Sequence, residues 1–337
     1  MDILIKSFNR PYYLDRCIQS VLLNSQNLEY KIFVLDDGTP QKHLDKLLEK
    51  FPEINILKSD LYDEKSNAVA NDIQNINSKI PIELWVNSAK NASNYFLLIE
   101  DDFWFTKSFN LKKFRLYLET DKIKMLKLCW LGNPKLITEN TNSHNNLYSI
   151  YRPNLYTEKP YLFNLLFRID RFKIRKILTF LKFYSEERFI NYYTIYATSG
   201  AVFKKKYFLN LWKNHMNSVD EGLQLFNAVK FINKKKNTAF GFSNSELMKT
   251  GFLSSASNQN KEFKNIDINM FSFNKIINEA WFNNDFDAME NYPNDLNSEK
   301  IEAILIKSNN PLAQVSEWKK WVQAFKNQYI SFGCKID

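Results

Sequence analysis

Apolar positions in the first hundred residues fall into short continuous runs separated by helical patterns. Residues 3–8 (ILIKSF), 30–35 (YKIFVL), 54–57 (INIL) and 95–99 (YFLLI) read as buried strands. Behind Pro11, Leu14, Cys17, Ile18, Val21 and Leu22 recur at helical spacing. Leu44, Leu47, Leu48 and Phe51 mark a second helix, and a helical pattern runs through 65–92. Strands alternating with helices predict an α/β fold with a mostly parallel, doubly wound sheet. Further on, 124–131 (KMLKLCWL) reads as a strand, 132–160 as loop with a short strand near 147–151, 194–203 as strand or loop entering the core, and 219–233 as a helix. From about 272 the pattern is helical, with apolar positions in 273–289, 299–306 and 315–330.

Three strands end in polar groups: Asn9-Arg10, Asp36-Asp37 and Glu100-Asp101-Asp102. Open α/β sheets bind ligands outside the carboxyl ends of their strands, so adjacency of these strands would gather the groups on one crevice. Neighbouring carboxylates repel, and a cation or hydrogen-bond donors must offset the repulsion. A turn or helix cap accounts for the acids of DDGTP (36–40) without chemistry. In IEDDFWF (99–105) an apolar strand runs straight into three acids and then aromatics, which favours chemistry.

Composition narrows the classes. Seven Gly, none in a GxG arrangement, exclude the Rossmann and Walker A phosphate loops. Three dispersed His and three Cys without a CxxC argue against a zinc site of usual spacing or a disulfide framework, and no GxSxG elbow is present. Forty-six basic against 37 acidic residues give +9, which favours anionic partners. Neither an 18-residue apolar run nor room for a leader before Ile3 is apparent, so a reducing cytoplasm is the expected compartment. Arg168, Arg171, Lys173, Arg175, Lys176 and Lys182 interleave with Leu162, Leu165, Leu166, Ile169, Phe172, Ile177, Phe180 and Leu181. This stretch reads either as an amphipathic helix docking on anionic lipid, making the protein peripheral to the inner face of the membrane, or as a packed helix with a solvated basic face.

LIKSFNRPYYLDRCIQSVL (4–22), KIFVLDDGTP (31–40), NYFLLIEDDFWF (94–105) and SGAVFKKKYF (199–208), in this order, resemble the GT-A-fold glycosyltransferases of the inverting family 2 type. The resemblance implies a catalytic domain over 1–260, with the basic aromatic insertion at about 132–192, and a helical extension over 261–337. It implies a nucleotide-sugar donor, UDP-linked, and a glycan or lipid-linked acceptor in surface polysaccharide synthesis. By it, Asp37 would accept from the uracil N3–H, with Asp36 the second choice. Ser7 and Asn9 would contact the nucleoside, and Arg10 the base or phosphate. Glu100 and Asp101 would hold ribose or sugar hydroxyls, and Asp102 would ligate Mn²⁺ or Mg²⁺, hard ions that suit oxygen ligands. The general base would be Glu221 or Asp220, the latter being equally a helix cap.

The family's Arg-Asn before the fourth strand is absent, with Lys90 and Asn87 as candidate substitutes. In SELMKTGFLSS (245–255) Lys249 stands where related enzymes carry a ligating His, which makes weak metal dependence an alternative. Competing readings are a sugar nucleotidyltransferase, disfavoured because SFNRPYY lacks a Gly-rich loop, and an inactive glycan- or nucleotide-binding relative. Nucleic-acid binding is not expected, since basic residues alone give only nonspecific affinity. Trp281, Trp318 and Trp321 read as core or interface, with the tail packing on the catalytic domain or forming a homodimer contact.

Overall fold

The computed structural model describes residues 1–336 except 27–28, 72, 74–75, 138–141, 144, 171–172, 185, 216–217, 235–237, 257–262 and 264. Its strands are β1 (Asp2–Ser7), β2 (Ile32–Asp36), β3 (Asn55–Lys58), β4 (Tyr95–Glu100), β5 (Phe103–Phe105), β6 (Ile123–Lys127), β7 (Asn142–Ser143), β8 (Tyr148–Tyr151), β9 (Ala201–Lys204), β10 (Ala239–Ser243) and β11 (Met248–Thr250). The main sheet has the order β3-β2-β1-β4-β9-β6-β10-β8-β7, and β5 pairs with β11 in a separate ribbon. β3, β2, β1 and β4 are mutually parallel, whereas β9 runs against both β4 and β6, and β8 against both β10 and β7. The sheet is therefore mixed but mostly parallel.

The central strands are buried on both faces, which is why they read as continuous apolar runs. Ile3 and Ile5 of β1 join one core with Val34, Leu97 and Ile99. Leu4 joins the other, with Leu35, Phe96 and Leu98. The two-residue period puts Lys6 on the Leu4 face, where its ammonium lies 4.4 Å from the Trp85 ring centroid.

The first core is closed by helices Met270–Phe282, Ser298–Ser308 and Val315–Ser331. Trp281, Trp318 and Trp321 are buried in it. The Trp281 indole donates to Asp15 Oδ2 at 2.8 Å, and that of Trp318 to the Leu253 carbonyl at 2.9 Å. The tail thus packs on helix Pro11–Asn24, the first of the two arrangements expected for it.

Several expected elements are subdivided. The pattern at 65–92 is two helices, Tyr62–Ala70 and Ile82–Asn91, the second restarting behind Pro81. The strand near 124–131 ends at Lys127, and Leu131 and Gly132 turn the chain at positive φ. In 194–203 a 3₁₀ turn, Asn191–Ile195, precedes β9. The basic aromatic stretch is no single helix: Pro160–Phe163 continues into a π-helical segment, Asn164–Ile169, and Ile174–Phe180 follows after left-handed Asp170 and Lys173. Among the described residues no helix is long and apolar enough to cross a membrane.

Helix Tyr62–Ala70 approaches the end of β2 because position 38 has no side chain. Gly38 sits at φ 137°, and a Cβ there would lie 2.5 Å from Lys65 Cβ. Gly38→Ala is expected to destabilise the fold by about 2 kcal/mol or more in urea unfolding. A loss below about 0.5 kcal/mol would show that the helix can retreat freely.

Candidate active site

β2, β1 and β4 are neighbours, with Ser7 opposite Asp36 and Lys6 opposite Glu100. Their polar ends therefore meet on one edge of the sheet. Lys6, Arg10, Asp37, Lys65, Trp85 and Asp101 are among the residues lining a cavity of about 500 Å³ there, a size that suits a small-molecule site.

Arg10 organises this edge. One guanidinium nitrogen, Nη2, donates to Asp101 Oδ1 and the other, Nη1, to Asp102 Oδ2 at 2.9 Å. Asp101 Oδ2 accepts from the Ser7 hydroxyl and the Phe8 amide, each at 3.3 Å. Lys6 meets Glu100 at 2.6 Å. Two cations thus face three consecutive carboxylates, leaving one negative charge in excess.

Burial, more than that imbalance, sets the titration of this edge. Burial pushes Asp101 up to about 7, Arg10 opposing the shift and the Asp102 charge adding to it. Asp102 is raised mainly by burial. Burial also works against ionised Glu100, but Lys6 overrides it and holds this carboxyl below its usual range.

At the β2 end, Asp36 and Asp37 have different tasks. The Asp36 carboxylate accepts from the Gly38 and Thr39 amides at 3.0 and 2.8 Å and from the Thr39 hydroxyl at 2.6 Å. It is fully buried, and these three bonds tie it to the turn. Asp37 lines the cavity instead, held by Lys65 Nζ and, at 2.6 Å, by the Ser59 hydroxyl. Burial raises its pKa against these donors.

Asn9 adopts φ 53° between these ends. Its amide donates to Thr39 Oγ1 at 3.0 Å, and its side-chain and main-chain oxygens accept from Asn278 Nδ2 at 2.9 and 3.2 Å. Asn9 is completely buried, so it shapes the loop rather than facing the cavity.

The other expected residues lie further out. Lys90 lies in the last turn of helix Ile82–Asn91, and its carbonyl accepts from Lys205 beside the start of β4. Five residues of strand, roughly 16 Å, separate that rim from Glu100. Lys249 lies on β11 opposite Trp104, two residues before Gly251, whose amide donates to the Asp102 carbonyl at 2.8 Å. Asp220 caps helix Glu221–Lys234 by accepting from the Leu223 amide at 2.9 Å and meets Arg168 at 3.3 Å. Glu221 accepts from the Tyr193 hydroxyl at 2.8 Å and is exposed.

Lys6, Lys65, Trp85 and Tyr329 belong to this region and were not singled out from sequence. A lysine inside the apolar run ILIKSF was a readable signal for Lys6. Nothing local marks Lys65. The Tyr329 phenol, raised first by burial, also feels Asp102, Glu100 and Glu221, so the last helix borders the acidic edge.

A divalent cation can be tested against these groups. Asp102 Oδ1 is buried without a hydrogen-bond partner, and the edge carries one surplus carboxylate. Both features fit a hard cation bound through this oxygen. Among the described residues no group of three or more His, Cys, Asp or Glu forms a ready protein cage, so a cation here would take its other ligands from elsewhere.

A mostly parallel sheet with acidic ends on β2 and β4 around one cavity is the arrangement of a GT-A fold. Residues 2–189 match the family described as "Glycosyl transferase family 2", and the chain belongs to that family. Among solved structures, S. aureus TarS is 13% identical over 91% of this chain and 42% of its own, with a TM-score of 0.43. The S. aureus TarS 1-349 complex with UDP-GlcNAc is 12% identical over 98% and 72%, TM-score 0.39. Glucosyl-3-phosphoglycerate synthase from Mycobacterium tuberculosis, in complex with Mn²⁺, UDP and phosphoglyceric acid, is 11% identical over 83% and 77%, TM-score 0.39. This chain thus spans less than half of the full TarS chain. No curated protein matches.

Asp101→Asn tests the charge balance. An acid whose folded pKa exceeds its unfolded value contributes stability that is fully present below about 4 and lost as pH climbs through the folded value, here about 7. The variant is permanently neutral. Its thermal midpoint relative to wild type is therefore expected to rise between about pH 5 and pH 8. A constant or falling difference would show that Arg10 keeps Asp101 ionised throughout.

Proposed function

We propose that this glycosyltransferase moves a sugar from a UDP-linked donor to a glycan or lipid-linked acceptor, with inversion, in surface polysaccharide synthesis. The observation that carries the reading is the shared cavity: Asp37 at the end of β2 and Asp101 at the end of β4 line it together, with Arg10 between them. The nucleoside occupies the Asp37 side, where a carboxylate can accept from the uracil N3–H. The diphosphate lies toward Arg10, whose positive charge complements it.

Asp102 would hold Mn²⁺ or Mg²⁺ through Oδ1, the acceptor that Arg10 leaves unused. Such an ion would supply Lewis acidity to the departing diphosphate. The unpartnered oxygen and the surplus carboxylate favour this arrangement over one in which Lys249 alone replaces the metal.

Glu221 is the base of this reading. It opens its helix, is exposed, and keeps Oε1 available beside the Tyr193 bond to Oε2. Asp220 is occupied by its cap and by Arg168, which leaves it the weaker choice. Deprotonation of the acceptor hydroxyl by Glu221 would sharpen the nucleophile as the leaving diphosphate gains charge.

A thermal-shift series with nucleoside diphosphates and nucleotide-sugars, with and without Mn²⁺, tests the whole reading. UDP is expected to raise the midpoint as its concentration exceeds its dissociation constant. Asp37→Ala should weaken that binding by about tenfold or more. Asp102→Asn should remove the Mn²⁺-linked part, and EDTA should abolish UDP-sugar turnover until Mn²⁺ is restored. No shift with any nucleoside diphosphate would overturn the donor assignment, and full turnover in EDTA would overturn the metal assignment in favour of Lys249.

A further inference from the structure

The basic aromatic arm has two faces. Phe163, Leu166 and Tyr184 are buried, and Phe167 packs against Tyr156, Tyr184, Phe189 and Tyr192. These contacts seat the arm on the body of the protein. A second apolar set points the other way: Phe180 is 85% exposed, Phe183 63%, Ile177 54% and Leu181 51%. Ile177, Phe180 and Leu181 stand three and four residues apart, so they share one helical face. Soluble surfaces rarely group large apolar side chains this way without a partner.

Charge identifies the partner. Lys173, Lys176 and Lys182 border this apolar group and are exposed, and among the described residues none forms an ion pair within 4 Å, although Lys176 feels Asp170 at longer range. Asp170, the acid within 168–182, is taken by Arg175 at 3.1 Å. Two copies of the chain meeting through this patch would bring lysine against lysine, which disfavours self-association. An anionic bilayer offers both complements at once, hydrocarbon for the Phe and Ile side chains and headgroup charge for the lysines.

We infer that the outer face of residues 173–183 docks the protein on an anionic lipid bilayer. The docking rests on the arm alone. A consequence rests on the proposed function as well: Arg168 joins the arm to Asp220, the cap of the helix that begins with Glu221. Docking therefore brings the candidate base to the membrane surface, where a lipid-linked acceptor resides.

Co-sedimentation of the full chain with phosphatidylcholine vesicles, with and without phosphatidylglycerol, tests the docking. Binding is expected only to the anionic vesicles and should weaken as salt rises. Replacing all three lysines, Lys173→Gln, Lys176→Gln and Lys182→Gln, should lower partitioning on the order of 100-fold, from about 1 kcal/mol per cation. Phe180→Ser with Phe183→Ser should lower it by about tenfold or more. Because these side chains are exposed, thermal midpoints and the UDP-induced shift should stay at wild-type values in both variants. Absence of binding to anionic vesicles at low salt, or variants that sediment like wild type, would overturn the inference. So would a concentration-dependent dimer that the same substitutions dissolve in a protein that ignores vesicles. A protein that binds vesicles but shows no UDP shift would keep the docking and lose the donor assignment.

Discussion

The acidic edge depends on one guanidinium. Arg10 bonds both Asp101 and Asp102, and all three side chains are largely withdrawn from solvent. Exposed ion pairs contribute roughly 0–1 kcal/mol, whereas removing one partner of a buried pair costs about 3–5 kcal/mol because a charge is stranded. Lys112–Glu29, with both side chains more than half exposed, belongs to the first class. Arg10 belongs to the second, and it holds two anions rather than one.

The position of that guanidinium is itself the end of a chain of bonds. Asp36 fixes the Thr39 hydroxyl, which receives the Asn9 amide. Asn278, from a helix near the far end of the sequence, grips the same residue. Asn9 is thereby kept in a left-handed conformation, after which Arg10 and Pro11 enter the first helix. Through Thr39 and Asn9, the Asp36 carboxylate thus helps set the position of Arg10. The helices after residue 270 lie beyond the stretch matched to the family, but they bury one face of the sheet and brace the loop at Asn9. A change at Asn278 would reach Arg10 through Asn9 alone without touching the cavity.

Much of the architecture was legible because buried parallel strands carry an unmistakable pattern. ILIKSF, YKIFVL and YFLLI each became a central strand, shifted by a residue or two at the ends. The meeting of three polar strand ends followed once β1 lay between β2 and β4. What sequence did not disclose is how each acid is used. Asp36 and Asp37 are adjacent and chemically identical, and only the turn geometry sends one into backbone bonds and the other into the cavity. Lys65 approaches Asp37 because Gly38 leaves space, a relation between residues 27 apart that no local pattern encodes. Lys90 ends a helix beside the start of β4, a placement that its distance along the chain does not encode. The broken arm at 164–174 was hidden for a different reason: left-handed Asp170 and Lys173 interrupt an amphipathic pattern that is continuous in sequence.

The same pairing decides how an anionic donor could approach so acidic an edge. Each carboxylate bordering the cavity meets it already bonded to a cation: Asp37 to Lys65, Glu100 to Lys6, Asp101 to Arg10. A diphosphate therefore encounters nearly neutral pairs with protonated donors among them, rather than bare carboxylates. The charge left over resides at the Asp101–Asp102 step, where two acids share a single arginine. An incoming diphosphate adds negative charge beside that step, so the least costly bound state is one in which a proton or an external cation accompanies it. Protonation of Asp101 and a cation on Asp102 Oδ1 are alternative solutions to one electrostatic deficit. On the proposed function, donor affinity, pH dependence and metal dependence would therefore be linked at this edge, coupled through Arg10.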